Sequence, residues 1–281
     1  MKDLVGKTAV VTGAGSGLGR AIAIECARRG MRLVLADIDR EAASATGAML
    51  GGHDWLPVRC DVSRSDQVAE MADRAYQHFG NVNLLVNNAG VGAGGRLWNT
   101  TPDDWAWVLG VNVMGVVHGI QSFVPRMLAS GEPAHVVNTA SAGGLTVTPG
   151  YAIYAASKHA VVALTESLYQ ESLLEEGARL GVSALCPAYV ETGFANCGRS
   201  RPKELLDESI DTEAYMGRFQ HAKGELGADA VATATLDAVE ANRFYILTHE
   251  SVKPFIEVRM RDILEGRNPS KDAVRRIGID R

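Results

Sequence analysis

Short β-branched runs alternate with longer segments of helical period along almost the whole chain, and this constrains the fold more than any other feature. The runs fall at 8–12, 32–36, 55–60, 84–87, 135–139, 182–186 and 244–247; periodic stretches lie at 18–29, 65–79, 102–128, 151–176 and 228–241. Continuous apolar runs of this length are strands buried on both faces. A helix after a strand carries the chain back to the same edge, so successive strands run parallel. The pattern predicts an α/β fold, a doubly wound parallel seven-stranded sheet flanked by helices on both faces. Burying two sheet faces needs much apolar material, and 46% of the 281 residues are hydrophobic. No linker, repeat or low-complexity stretch interrupts the pattern, so 1–281 reads as a single domain.

Two segments depart from the alternation. The stretch 193–227 is long, charged and weakly periodic, with Phe194, Leu205, Leu206, Ile210, Tyr215, Met216 and Phe219 among polar residues. A loop of this length in a compact domain is usually functional, and it reads as a substrate loop that closes as a lid. Arg199, Arg201 and Lys203 are then expected as early proteolytic cut sites, against the alternative of a packed pair of short helices. The tail, 250–281, carries an amphipathic pattern through about Leu264 that stops near Gly266 and Pro269.

Chemistry enters at three places. Thr12-Gly13-Ala14-Gly15-Ser16-Gly17-Leu18-Gly19 follows a strand and opens a helix. Glycines there let the backbone approach a pyrophosphate, and the helix N-terminus favours its charge. Asn87-Asn88-Ala89-Gly90 follows the fourth strand. Tyr154 and Lys158 stand four apart on one helix face, with Ser141 upstream. An ammonium beside a phenol favours phenolate, so Lys158 is expected to pull the Tyr154 pKa down and make it an acid/base for an alcohol oxygen.

In this order and at these separations, the motifs resemble the short-chain dehydrogenase/reductase family over about residues 5–250, nearest to bacterial aryl-alcohol Cα-dehydrogenase-like members. The resemblance implies a Rossmann-type dinucleotide-binding and catalytic domain. It assigns catalysis to Asn112, Ser141, Tyr154 and Lys158: Tyr154 as acid/base, Lys158 tuning it and holding the nicotinamide ribose, Ser141 on the reacting oxygen, Asn112 holding a helix kink and a water. It assigns the cofactor to Gly13, Ser16, Gly17, Leu18, Gly19, Asp37, Ile38, Asp61, Val62, Asn88, Ala89 and Gly90, with Tyr154, Lys158, Pro187, Val190 and Thr192. Asp37 closes the second strand, where a carboxylate accepts from ribose hydroxyls and repels a 2′-phosphate. Neutral Ile38 and Ser16 occupy the places where NADP-preferring relatives carry a basic residue. NAD is therefore expected over NADP.

The expected substrate pocket comprises Gly94, Ala142, Gly143, Tyr151, Ala188, Tyr189 and Phe194, with Gly92, Leu97 and Leu145 around it. It is apolar, Ala188 replaces the family's usual glycine, and no arginine is expected to await a carboxylate or phosphate. A bulky, largely apolar secondary alcohol or ketone fits, aryl or alicyclic. The alternatives are an NADP-dependent carbonyl or 3-oxoacyl reductase and a non-catalytic, cofactor-binding regulatory protein.

A net charge of −5 speaks against nucleic acid as partner. No run of about 20 apolar residues suggests a membrane span. Cys26, Cys60, Cys186 and Cys197 form no Cys-x-x-Cys pair and read as reduced thiols, and the scattered histidines give no metal site; His159 is a bystander. A cytoplasmic enzyme with a small-molecule substrate is expected. Trp105, Val108, Val116, Val162, Leu168 and Leu173 add apolar surface to two long helices, which predicts a homo-oligomer, a tetramer before a dimer.

Overall fold

The structure is a computed structural model and describes residues 1–205 and 225–270. Leu206, Ile210, Tyr215, Met216 and Phe219, and the tail beyond Ser270, lie outside the described residues.

Seven parallel strands form one sheet in the order β3-β2-β1-β4-β5-β6-β7. They are β1 Thr8–Thr12, β2 Arg32–Asp37, β3 Trp55–Arg59, β4 Leu84–Asn87, β5 Ala134–Thr139, β6 Leu180–Leu185 and β7 Tyr245–Ile246. The expected runs are all present, two with unchanged limits and the rest displaced by one or two residues at their ends. The strand order reverses between β1 and β4, and the crevice at that point lies above their C-terminal ends, where the glycine turn and Asn88 emerge.

Alternate residues of each strand feed two cores. Val11, Leu33, Leu35 and Val86 face α1 (Gly17–Arg28) and α7 (Ala228–Glu240). Val10, Val34, Leu85 and Val136 face α3 (Ser65–Phe79) and the helices that carry Phe123, Met127 and Leu168. A short helix, α2 (Arg40–Gly47), has no counterpart in the sequence reading. It is rich in Ala, Ser and Thr and too short to show an apolar period; Asp39 starts it by accepting from the amides of Glu41 at 3.0 Å and Ala42 at 3.1 Å. The tail helix, α8 (Lys253–Leu264), ends before Gly266 as expected.

The stretch expected as one helix at 102–128 is helical to Ser130, with a wide turn in its middle. Thr101 and Asp104 form a reciprocal capping box and Pro102 takes the first position of α4 (Pro102–Leu109). Gly110–Met114 winds as a π-turn, and α5 (Gly115–Ser130) ends at Gly131, whose φ of 63° is left-handed. By length and composition Pro102–Ser130 is apolar enough to cross a membrane, contrary to the sequence expectation. Its apolar residues Phe123, Val124 and Met127 are instead packed on the sheet.

α6 (Ala152–Leu174) lies beside α4. The surplus apolar surface expected on these helices is largely absent: Val108, Val116, Val162 and Leu168 are buried within this chain. Leu173, 68% exposed, and Leu174, 85% exposed, are the apolar residues that α6 leaves uncovered at its C-terminal end.

Candidate active site

One cavity of about 1540 Å³ runs along the C-terminal edge of the sheet. It exceeds the ~300–1,000 Å³ of an ordinary ligand pocket and has room for a dinucleotide with a second molecule. Gly13, Ser16, Gly17, Leu18, Gly19, Asp37, Ile38, Asp61, Val62, Asn88, Ala89 and Gly90 line one part of it. Ser141, Tyr154, Lys158, Pro187, Val190 and Thr192 line the adjoining part.

The first part is a backbone cradle. Gly13 has a φ of 66°, and a Cβ there would stand 3.0 Å from Ala89 Cα. At Gly19 a Cβ would stand 2.1 Å from the Gly13 carbonyl oxygen, so the turn closes only on a bare Cα. Ser16 makes no side-chain cap and the first turn of α1 carries no acidic residue, so the chain itself leaves that turn's N–H groups and their positive end to a ligand. Thr12 ties β1 to β4: its hydroxyl accepts from the amides of Asn88 at 2.9 Å and Ala89 at 3.0 Å. Asp37 accepts from Gly15 N–H at 2.8 Å on one oxygen and from Asp39 N–H at 3.0 Å on the other, which fixes the carboxylate while each oxygen keeps a further lone pair. Asp61 is held by Ser63, whose amide and hydroxyl donate to it at 3.0 and 2.7 Å. These residues fit a pyrophosphate against the glycine turn, a ribose at Asp37 and an adenine at Asp61 and Val62.

The second part is made of side chains. Ser141 follows β5; its Oγ accepts from Gly143 N–H at 3.1 Å and donates to the Pro187 carbonyl at 3.4 Å, and it lowers the pKa of the neighbouring Tyr154 phenol. Lys158, one turn on, is 3% exposed and donates to the Thr139 carbonyl at 2.7 Å. Burial pushes the Tyr154 phenol up to about 12, against the lowering effect of Ser141. Burial likewise lowers the Lys158 ammonium to about 8. The sequence expectation that Lys158 pulls the phenol down is thus not met here. The ammonium lies 5.7 Å from the phenol ring centroid and is turned to a carbonyl, while desolvation penalises the phenolate more strongly.

Asn112 lies outside the cavity wall, within the π-turn, and is 1% exposed. Its amide brackets Val91, accepting from the backbone N–H at 2.8 Å and donating to the carbonyl at 2.9 Å. It also donates to Ser157 Oγ at 2.9 Å, and Ser157 donates to the Tyr154 carbonyl at 2.7 Å. Asn112 therefore locks the helix bend to the Tyr154 turn. Ser157, invisible as a motif residue, is the link. A Cβ on Gly90 would stand 3.4 Å from Asn112 Oδ1 and 3.5 Å from Lys158 Nζ, so glycine keeps the path between them open.

Of the expected substrate residues, Ala142, Gly143, Tyr151, Ala188, Tyr189 and Phe194 line the cavity, with the Phe194 ring 5.6 Å from that of Tyr154. Gly94 does not, nor do Gly92, Leu97 and Leu145. Gly92 and Gly94 are buried behind the wall, where the Gly95 amide donates to the Gly150 carbonyl at 2.8 Å beside Tyr151, and Leu97 sits on an exposed turn. Leu145 packs behind the Ser141 loop with Val161 and Val162. His159 is turned away, its Nδ1 on the carbonyl of Ala155 at 2.9 Å.

Several wall residues were not singled out from sequence. His249, 2% exposed, follows β7 and accepts from Ala188 N–H at 3.2 Å through Nδ1, which holds the turn where alanine replaces glycine and places the ring proton on Nε2. Trp107 and Cys197 are others; Cys197 Sγ lies 3.3 Å from the Gly92 amide. Arg199 and Arg201 also line the cavity, where no arginine was expected. Arg201 is no exposed cut site: its side chain is 5% exposed and paired with Asp104 at 2.6 Å.

The chain matches the short chain dehydrogenase family over residues 7–202. It is 35% identical to the CLA biosynthesis dehydrogenase/reductase of Lactiplantibacillus plantarum, covering 94% of this chain and 95% of that one. It is 33% identical to the C alpha-dehydrogenase of Sphingobium, covering 96% and 89% respectively. A short chain dehydrogenase/reductase from Burkholderia phymatum, solved in complex with NAD, superposes with a TM-score of 0.94 at 50% identity, over 96% of this chain and 99% of that chain.

Proposed function

Because the chain belongs to the short-chain dehydrogenase/reductase family, oxidoreductases acting on CH–OH groups and their ketones, we propose that it interconverts a bulky, largely apolar secondary alcohol, aryl or alicyclic, with its ketone, using NAD and Tyr154 as acid/base. The observation that carries this reading is the continuity of one cavity from the glycine turn to the Ser141–Tyr154–Lys158 group. NAD, when bound, supplies the acceptor for the carbinol hydride.

The chain's own residues supply the rest. Ser141 and Tyr154 hold the carbinol oxygen between two hydroxyl groups, and Tyr154 takes its proton as the carbon–oxygen double bond forms; in the reverse direction it returns the proton. Lys158 stands beside Tyr154 as a buried cation, so its charge favours the phenolate that accepts the carbinol proton. Asn112 and Ser157 keep the Tyr154 turn in place. Trp107, Tyr151 and Phe194 exclude water and select an apolar body. Asp37 supports NAD over NADP, and the Burkholderia phymatum relative was solved with NAD. The free, buried cysteines support a reducing, cytoplasmic setting, and exposed Leu173 and Leu174 support self-association of α6.

Replacing the phenol tests the reading. Tyr154→Phe is expected to bind NAD within about twofold of the parent by fluorescence titration and to lose at least ~100-fold in turnover of an aryl secondary alcohol. Tyr151→Phe is expected to retain turnover. Near-parent rates from Tyr154→Phe, with loss in Tyr151→Phe, would assign the chemistry to the wrong tyrosine.

A further inference from the structure

Two successive carbonyl oxygens of the glycine turn are held from behind the cavity wall. Thr46 of α2, fully buried, donates its hydroxyl to the Ala14 carbonyl at 2.8 Å. Arg20 of α1 donates from Nη2 to the Gly15 carbonyl and from Nε to Thr46 Oγ1 at 3.0 Å. A cationic donor, a buried hydroxyl and two carbonyls thus form one connected group across α1, α2 and the turn. Neither Arg20 nor Thr46 lines the cavity, whereas Gly15, Ser16 and Asp37 do. The turn is closely packed here: a Cβ on Gly15 would stand 2.8 Å from Ala42 Cβ and 2.8 Å from Asp37 Oδ2.

Peptide geometry says what this group does. A trans peptide is planar, with its C=O and the N–H of the next residue on opposite sides, and no peptide among the described residues is cis. The Ala14–Gly15 peptide shows both of its ends occupied: the carbonyl accepts from Thr46, and the N–H donates to Asp37 Oδ2 at 2.8 Å. The Gly15–Ser16 peptide has its carbonyl on Arg20, which turns the Ser16 N–H away from Arg20, to the side on which Ser16 meets the cavity. A cationic donor on the carbonyl also polarises that peptide and makes its N–H a stronger donor to an anion. We infer that Arg20 and Thr46 are positioning residues for the cofactor. From outside the cavity they aim two consecutive amides, Gly15 at the Asp37 carboxylate and Ser16 into the part of the cavity that fits a pyrophosphate and ribose. The inference rests on the NAD reading above and assigns part of the NAD affinity to two side chains outside the cavity wall.

The test separates aiming from folding. Calorimetry on the full chain gives Kd for NAD and for ADP-ribose, which lacks the nicotinamide, and NADH absorbance gives kcat and KM with an aryl secondary alcohol. Arg20→Met keeps an unbranched stem and removes the donors. It is expected to weaken NAD and ADP-ribose alike by about tenfold, the scale of a hydrogen bond from a charged donor. The KM for NAD should rise with it, while kcat and the KM for the alcohol stay within about twofold. Arg20→Lys restores a cationic donor but not the planar fork, and is expected to bind ADP-ribose at least about threefold tighter than Arg20→Met. Thr46→Val removes the link between the two carbonyls; in that background Arg20→Met is expected to cost under about threefold more, because the two side chains act as a unit. Thermal melting checks the fold of each variant. Parent-like ADP-ribose affinity in folded Arg20→Met overturns the inference, as does a lysine variant no better than the methionine one, or a loss in kcat equal to the loss in affinity. If Arg20→Met does not fold, parent-like ADP-ribose affinity in Thr46→Val overturns it. Failure of the parent to bind either ligand overturns the NAD reading itself, whereas the other contrary results overturn only the roles of Arg20 and Thr46.

Discussion

The two ends of the cavity are built on different principles. The end at β1, β2 and β4 is shaped by backbone: Gly13 and Gly19 permit close approach, Thr12 ties two strands, and Asp37 is fixed by two amides. The end beyond Tyr154 is shaped by side chains from four separate places: Trp107 on α4, Tyr151 at the start of α6, Phe194 and Arg201 after β6, and His249 after β7. A backbone cradle tolerates almost no change and admits one kind of ligand. A side-chain wall is free to vary, and it sets which alcohol enters.

The sharpest way to break this contrast is to fill the cradle. Gly19→Ala places a methyl group where a Cβ would stand 2.1 Å from the Gly13 oxygen. It is expected to cost about 3 kcal/mol of stability and to abolish measurable NAD binding. A variant with unchanged Tm and NAD affinity would show that the turn is not the rigid element described. Next in size is cofactor choice. Asp37→Ala with Ile38→Arg is expected to shift the NAD/NADP ratio of kcat/KM about tenfold or more towards NADP, since a carboxylate held against the ribose site is replaced by a phosphate partner. An unmodified protein that uses both cofactors equally would remove the basis for it. The smallest effect is expected in the wall. Phe194→Ala should change the ratio of kcat/KM between an aryl and a small aliphatic alcohol by about fivefold, with NAD affinity within about twofold. Equal losses for both alcohols and for NAD would mean that the two ends are not separable.

The same contrast explains what the chain disclosed before its structure was known. Strand–helix alternation and the Gly13–Gly19 spacing are local, so the parallel seven-stranded sheet and the cradle were readable, while the order of the strands in the sheet was not. Tyr154 and Lys158 are one helical turn apart, and their placement was readable too. Their electrostatics were not, because desolvation depends on everything packed around them and it reverses the expected direction for the phenol. The Asp104–Arg201 pair joins residues 97 apart, and no pattern in either segment announces it. Gly94 and Leu97 look like pocket residues by position, yet Gly94 is buried behind the wall and Leu97 is exposed on a turn, outside the cavity lining. Val108, Val116, Val162 and Leu168 suggested a partner subunit and serve this chain's own core instead.

In the proposed reaction Tyr154 exchanges the proton of the carbinol, and the pH dependence of the rate in the two directions measures that exchange most directly. The phenol stands raised to about 12, so near neutrality it is protonated: ready to donate for ketone reduction and mostly unable to accept for alcohol oxidation. The fraction able to accept grows about tenfold per pH unit below the pKa. Lys158 loses the charge that favours phenolate near pH 8. Initial-rate kcat/KM for oxidation is therefore expected to climb through neutrality and bend near pH 8, while kcat/KM for reduction stays level or falls over the same range. Tyr154→Phe should abolish the climb. Parallel profiles in both directions, or a climb that survives in Tyr154→Phe, would contradict the assignment.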